Sequence, residues 1–148
     1  MRMKVLNEAH GRDRVFALVF DIGEDPVDGL TQFAEDQNVT ASSFTAIGAF
    51  SEATLGYFDW SMKAYERIPI AEQTEVLALM GDIAVDERKR KTVHAHVVLG
   101  RRDGAACGGH LLAARVRPTL EVVVTESPGY LQRVLDRQTG LALIRIGA

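Results

Sequence analysis

The stretch Thr92-Val93-His94-Ala95-His96-Val97-Val98-Leu99-Gly100 has the alternating character of a β-strand. Successive side chains of a strand point to opposite faces, so His94 and His96 share one face, about 7 Å apart. Val93, Ala95 and Val97 take the other face, which is apolar and suited to packing on a core. A further strand is expected over residues 109–116, opened by Gly108-Gly109-His110-Leu111, where two glycines permit a tight turn or a close backbone approach. If the two runs form a hairpin over residues 101–108, His110 lies near the end of the first strand. Bringing it level with His96 needs a favourable register or a bulge.

The same two-residue period recurs along much of the chain. Strands are predicted over residues 3–8, 14–21, 41–49, 53–59, 75–85, 119–126 and 141–146, besides the two just described. Val15 to Phe20 run without polar interruption, as in a strand buried on both faces. Turn residues His10-Gly11-Arg12-Asp13 separate the first two strands, and Gly48-Ala49-Phe50-Ser51 separate the next two. One helix stands out, from Pro26 to about Gln37. Asp25 suits its N-cap and Pro26 its first position, while Val27, Leu30, Phe33 and Ala34 recur on one face. Asp28, Glu35 and Asp36 belong to its solvent side, and Asn38 can end it in a left-handed conformation. Residues 128–138 read as an irregular excursion or, as the alternative, a short helix. The expected fold class is α/β of the α+β type: a mixed sheet, curled or split in two, with one main helix on a face. With no repeat, low-complexity tract or linker, residues 1–148 are expected to form a single domain.

The composition, 47% hydrophobic and 25% charged over 148 residues, is that of an ordinary globular protein. No apolar run approaches the roughly 20 residues that cross a bilayer, so no membrane association is expected. Charges at Arg2, Lys4 and Glu8 interrupt the N-terminal segment, which does not read as a signal peptide, and a cytoplasmic location is expected. The single cysteine, Cys107, excludes an intrachain disulfide; it reads as a small residue in a glycine-rich turn or a reactive thiol. The net charge of −3 lacks the concentrated positive charge with which proteins grip DNA phosphates. The one basic run, Arg88-Lys89-Arg90-Lys91, reads as a solvated loop.

The chemistry therefore concentrates on histidine. Of four histidines, three are His94, His96 and His110, and the fourth, His10, lies in a distant turn and reads as a surface residue. Neutral imidazoles suit divalent transition metals, zinc foremost. Three histidines with no obvious fourth ligand imply an open coordination position, the arrangement of catalytic rather than structural zinc. Glu121 and Glu75 are the candidate carboxylates, as ligand, hydrogen-bond partner or general base, although each equally fits an outward-facing strand residue. Phe50, Tyr57, Phe58, Trp60 and Tyr65 form a dense aromatic group suited to a pocket, a subunit contact or the core. Nucleophile-elbow, phosphate-loop, dinucleotide and His-Glu-x-x-His motifs are absent from the sequence.

Several ordered stretches resemble the plant-and-prokaryote-conserved domain family. They are Ala46-Ile47-Gly48-Ala49-Phe50-Ser51, Ala53-Thr54-Leu55-Gly56-Tyr57-Phe58-Asp59, and Glu75-Val76-Leu77-Ala78-Leu79-Met80-Gly81-Asp82-Ile83. His94-Ala95-His96-Val97-Val98-Leu99-Gly100, Gly108-Gly109-His110-Leu111 and Pro118-Thr119-Leu120-Glu121-Val122 continue the match. The resemblance implies a compact domain with a largely antiparallel sheet, assembly as a homotrimer and, in prokaryotic-type members, a metal site at His94, His96 and His110. Plant members accompany AT-hooks, which implies a DNA-associated role by analogy. Arg115-Val116-Arg117-Pro118 is no AT-hook, because valine stands where the hook needs glycine. The implied function is a trimeric, DNA-associated regulatory or accessory protein with a three-histidine metal site. The alternatives are a small metal-dependent enzyme using Glu121 or Glu75, and an interaction module whose histidines are incidental.

Overall fold

The computed structural model describes residues 1–7, 14–127 and 129–146. The turn expected at residues 10–13, with His10, lies outside them. In chain order the elements are β1 (Arg2–Asn7), β2 (Val15–Phe20), α1 (Pro26–Asp36), β3 (Ser42–Asp59), β4 (Ala64–Ile70) and β5 (Thr74–Val85). They continue with β6 (Lys91–Gly100), β7 (Ala106–Glu126), β8 (Gln132–Leu135) and β9 (Ala142–Arg145). The architecture is α+β but dominated by strands, in a mixed and largely antiparallel sheet whose parallel pairing joins β5 to β8.

The sheet curls until its hydrogen bonding closes. β3 pairs with β5, β5 with β6, β6 with β7, and β7 returns to β3 along nearly its whole length. Inside this circuit lie Phe44, Leu55, Leu79, Val97, Leu99, Leu111 and Leu120, all buried. β2 adds to the far half of β7, and its Phe16, Leu18 and Phe20 are buried while Val15, Ala17 and Val19 are only half-covered. The uninterrupted apolar run therefore packs chiefly through one face.

The helix closes the core as its pattern predicts. Asp25 caps it, its Oδ1 accepting from the Val27 amide at 2.8 Å, and its Oδ2 accepts from the Ala114 amide of β7 at 3.0 Å. One carboxylate thus starts the helix and ties it to the sheet. Leu30, Phe33 and Ala34 are buried, and Phe33 meets Phe16 edge-on at 5.0 Å between ring centroids. Burying Leu30 and Phe33 stabilises the fold by roughly 1.5–3 kcal/mol each. Asn38 adopts the expected left-handed conformation, with φ of 51°.

Three expectations need correction, and one strand was not expected. Gly48-Ala49-Phe50-Ser51 is no turn, because β3 runs through it as one strand, with register irregularities on both sides. At Gly48 a Cβ would lie 2.3 Å from the Thr119 carbonyl oxygen, so glycine here serves the close approach of β7. Residues 109–116 and 119–126 are likewise one strand, β7, with Pro118 beside the irregular pairing, where a missing amide is tolerated. Residues 128–138 contain a short strand, β8, that holds the buried Arg133. β4 was not foreseen, because its Glu66, Arg67 and Pro69 mask a strand that pairs only with β3 and stays mostly exposed.

The contact at Gly48 gives a direct test. Gly48→Ala should destabilise the protein by about 1–3 kcal/mol, the range of forced overpacking. Gly129→Ala, where nothing lies within 4 Å of the added methyl, should leave the urea midpoint nearly unchanged.

Candidate metal centre

Two tight hairpins set the positions of the histidines. Between β5 and β6, Asp86 accepts from the amides of Arg88 and Arg90, each at 2.8 Å, and Lys89 turns the chain with φ of 62°. The resulting register sets His94 opposite Asp82 and His96 opposite Met80. Between β6 and β7, Gly104 takes φ of 83° and the Arg101 amide donates to the Ala105 carbonyl at 2.8 Å. That turn is shorter than the sequence implied, since β7 already begins at Ala106. It sets His110 directly opposite His96, with no bulge between them.

Cross-strand partners share a face, so all three imidazoles meet on the outer side of the sheet. Their ring centroids are 5.0 Å apart for His94–His96, 5.1 Å for His94–His110 and 5.3 Å for His96–His110. One nitrogen from each lies within 4.8 Å of the other two, and Nε2 of His94 stands 3.1 Å from Nε2 of His96. Two imidazole nitrogens on a tetrahedral zinc ion, each at about 2.1 Å, would be separated by about 3.4 Å. The donor set thus fits a transition ion in both type and spacing. His110 Nδ1 is also buried without a hydrogen-bond partner, a polar atom for which a coordinated ion or a ligand oxygen is the fitting partner.

The surroundings favour the neutral form of His94 and His110. Burial, reinforced by His94, His96 and Arg133, pushes His110 down to about 4. Burial together with Arg133 and His96 also lowers His94, against the opposing pull of Asp82. Neutral imidazole is the form that binds metal.

Three further residues complete the site: Asp82 and Arg133, which the sequence did not single out, and Tyr65, which it placed in an aromatic group. Asp82 Oδ2 lies 3.9 Å from His94 Nδ1, on the ring edge away from the Nε2 that faces His96. Asp82 is thus the carboxylate that faces His94, at a separation too long for a direct hydrogen bond. Asp82 is itself held by an ion pair from Arg133, whose Nη1 donates to the Ala142 carbonyl at 3.4 Å. Tyr65 of β4 stacks on His110 at 4.6 Å and 24°, and it has room there because Gly56 carries no side chain; a Cβ would meet the Tyr65 ring at 2.8 Å. Asp82 was within reach of sequence reasoning, since Asp86 marks the hairpin that sets its register. Tyr65 was marked only as one of an aromatic group, and Arg133 comes from a strand whose sequence gave no such mark.

The other candidates are not brought to the histidines. Glu75 pairs with Gly100, four residues or about 13 Å along β6 from His96, and Glu121 sits opposite Val19 and Ile47 in the far half of β7. Both are exposed, as alternation requires of their positions. Cys107 faces Leu99 across the strand pair and packs on the core. Of the aromatic group, Phe50 is core, Tyr57 and Trp60 are exposed, and Phe58 contacts Tyr65 at 5.4 Å. The Arg115-Val116-Arg117-Pro118 segment lies within β7, with Val116 fully buried.

A family model describing the Plants and Prokaryotes Conserved (PCC) domain matches residues 7–128. The chain belongs to this family. Among solved structures, a metal-containing protein from Archaeoglobus fulgidus is 34% identical, with a TM-score of 0.83 over 98% of this chain and 97% of the other. A plant- and prokaryote-conserved protein from Pyrococcus horikoshii is 26% identical, with a TM-score of 0.85 over 95% and 99% of the two chains. A candidate DNA-binding protein from Ralstonia eutropha is 28% identical, with a TM-score of 0.82 over 89% and 91%. A comparison with curated proteins gave no match. Among the described residues of this PCC chain, no helix is long and apolar enough to cross a membrane.

The lowered His110 predicts a pH response with a definite sign. The fold favours the neutral ring, so the unfolded chain takes up the proton first on acidification, and stability falls from about pH 6.5 towards about pH 4. Urea midpoints of metal-free protein should drop across that interval. His110→Gln should drop less over the same range; an equal drop would assign the effect to other groups.

Proposed function

We propose that this PCC chain is a single-domain, homotrimeric accessory protein that binds a divalent transition metal, zinc by donor type, through His94, His96 and His110. The observation that carries the proposal is the convergence of three imidazoles, two of them from facing positions on paired strands. The metal-containing relative from Archaeoglobus fulgidus supports it. A bound ion would supply Lewis acidity at a position left open by only three protein ligands. Asp82 faces His94, Arg133 holds Asp82, and Tyr65 stacks on His110.

Trimer assembly draws on the outer face of the sheet. Val123, Thr45, Met80 and His96 form one cross-strand row there, with Ile47 and Val98 beside it. Ile47 and Met80 are 61% and 57% exposed, so an apolar patch surrounds the open side of the histidines. Contiguous apolar surface of this kind marks subunit contacts. A cytoplasmic location accords with the lone, unpaired Cys107.

A DNA-associated regulatory role follows from what the Ralstonia eutropha relative is described as. In this chain it would fall to Arg88 and Lys89 at the exposed β5–β6 turn. Arg90 is paired with Asp86 at 2.7 Å, and Lys91 donates to Asn38 at 3.2 Å. A second function, a small metal-dependent enzyme, is favoured by a cavity of about 220 Å³ that His94 and His110 help to line. In such an enzyme Asp82, rather than Glu121 or Glu75, is the carboxylate in reach of the histidines.

Elemental analysis of untagged protein should find about one zinc per chain, and His94→Ala or His110→Ala should lose it while still folding. Sedimentation of the same sample should give about three times the chain mass of 16.2 kDa. No metal after loading would sink the metal centre, and a monomer would sink the assembly. AT-rich duplex should bind only at low salt and weaken when Arg88 and Lys89 are both changed to Gln. Absence of binding to AT-rich and mixed-sequence duplex at low salt would remove the DNA role.

A further inference from the structure

The cavity beside the histidines has a wall that the metal centre does not explain. Tyr65, His94 and His110 form one side, and Arg133, Leu141 and Leu143 of the β8–β9 hairpin form the other. Arg133 is only 6% exposed, and its Nε is buried with no hydrogen-bond partner. A buried donor left unpaired is costly, so an acceptor is expected to complete it.

We propose that this cavity binds a small aliphatic carboxylate, its charged end reaching Arg133 and the metal held by the histidines, its short chain lying against Leu141 and Leu143. The inference rests on the metal centre proposed above and names the ligand class of that same site.

Charge, size and polarity each restrict the ligand. Asp82 pairs with Arg133 and does not itself line the cavity. Three neutral histidines leave the two positive charges of a divalent ion uncompensated, and the site attracts an anion. A guanidinium N–H donating to a carboxylate oxygen is a charge-assisted bond, stronger than one to a neutral acceptor. The volume of about 220 Å³ is room for a small organic acid. Leu141, Leu143 and Val93 give that chain apolar surface, which an inorganic anion would leave without a partner.

Calorimetric titration of zinc-loaded protein with 2-hydroxybutyrate, 1,2-butanediol and inorganic phosphate tests the proposal, with zinc content measured on the same sample. 2-Hydroxybutyrate should bind once per chain and roughly tenfold or more tightly than the diol or phosphate. Arg133→Lys keeps a positive charge beside Asp82 but removes Nε, and should weaken binding by roughly tenfold with zinc retained. Leu143→Trp fills the cavity and should abolish binding, also with zinc retained. Equal affinity for acid and diol, equal affinity for phosphate, or unchanged affinity in both variants overturns the carboxylate site. Zinc without 2-hydroxybutyrate binding overturns that site alone, whereas a protein that takes up no zinc overturns the metal centre and this proposal together.

Discussion

The backbone pairing of His96 with His110 is the constraint on which the site depends. Strand side chains alternate with period two, so a slip of one residue between β6 and β7 would turn His110 into the core and Leu111 outward. The slip is opposed from both sides of the sheet. On the inner face it would pull Leu111 out of a packed cluster. At the end of the hairpin it would break the turn closed by Gly104 and by the Arg101–Ala105 hydrogen bond. The packing that stabilises the fold is thus the same packing that aligns the imidazoles.

Closure of the sheet extends this coupling. Because β3, β5, β6 and β7 form a continuous circuit, no member of it can shift register without disturbing two neighbours. β3 also reaches past the circuit to pair with β4, which brings Tyr65 over Gly56 and onto His110. The long, bulged β3 and β7 are what allow one strand to serve both the core and the site. Gly48 permits the close backbone contact at which their pairing changes register.

The centre has two unlike sides. Towards the β8–β9 hairpin, His94 meets Asp82, Asp82 meets Arg133, and a cavity lies alongside. Towards the open sheet face, exposed His96 adjoins Met80, Val98 and the rest of an apolar surface. Polar groups therefore lie on one side of the histidines and apolar area on the other. Burial of His110 and the positive charge of Arg133 both favour the unprotonated ring, which links the hairpin wall to the readiness of the centre for metal.

Alternation alone determined that His94 and His96 share a face opposite Ala95 and Val97, because period two is a local property of a strand. The N-cap at Asp25 and the apolar stripe of Leu30, Phe33 and Ala34 were equally local, and the structure contains both. Only the tertiary structure decided that His110 stands opposite His96, that Asp82 and not Glu75 or Glu121 meets the histidines, and that Arg133 closes the far wall. Those relations depend on hairpin register and on strands that meet across long separations in the chain. A glycine-rich stretch such as Gly48-Ala49-Phe50-Ser51 can serve equally as a turn or as a bulge where two backbones touch. The approach of β7 selects the bulge, and residues near Gly48 in sequence carry no mark of it.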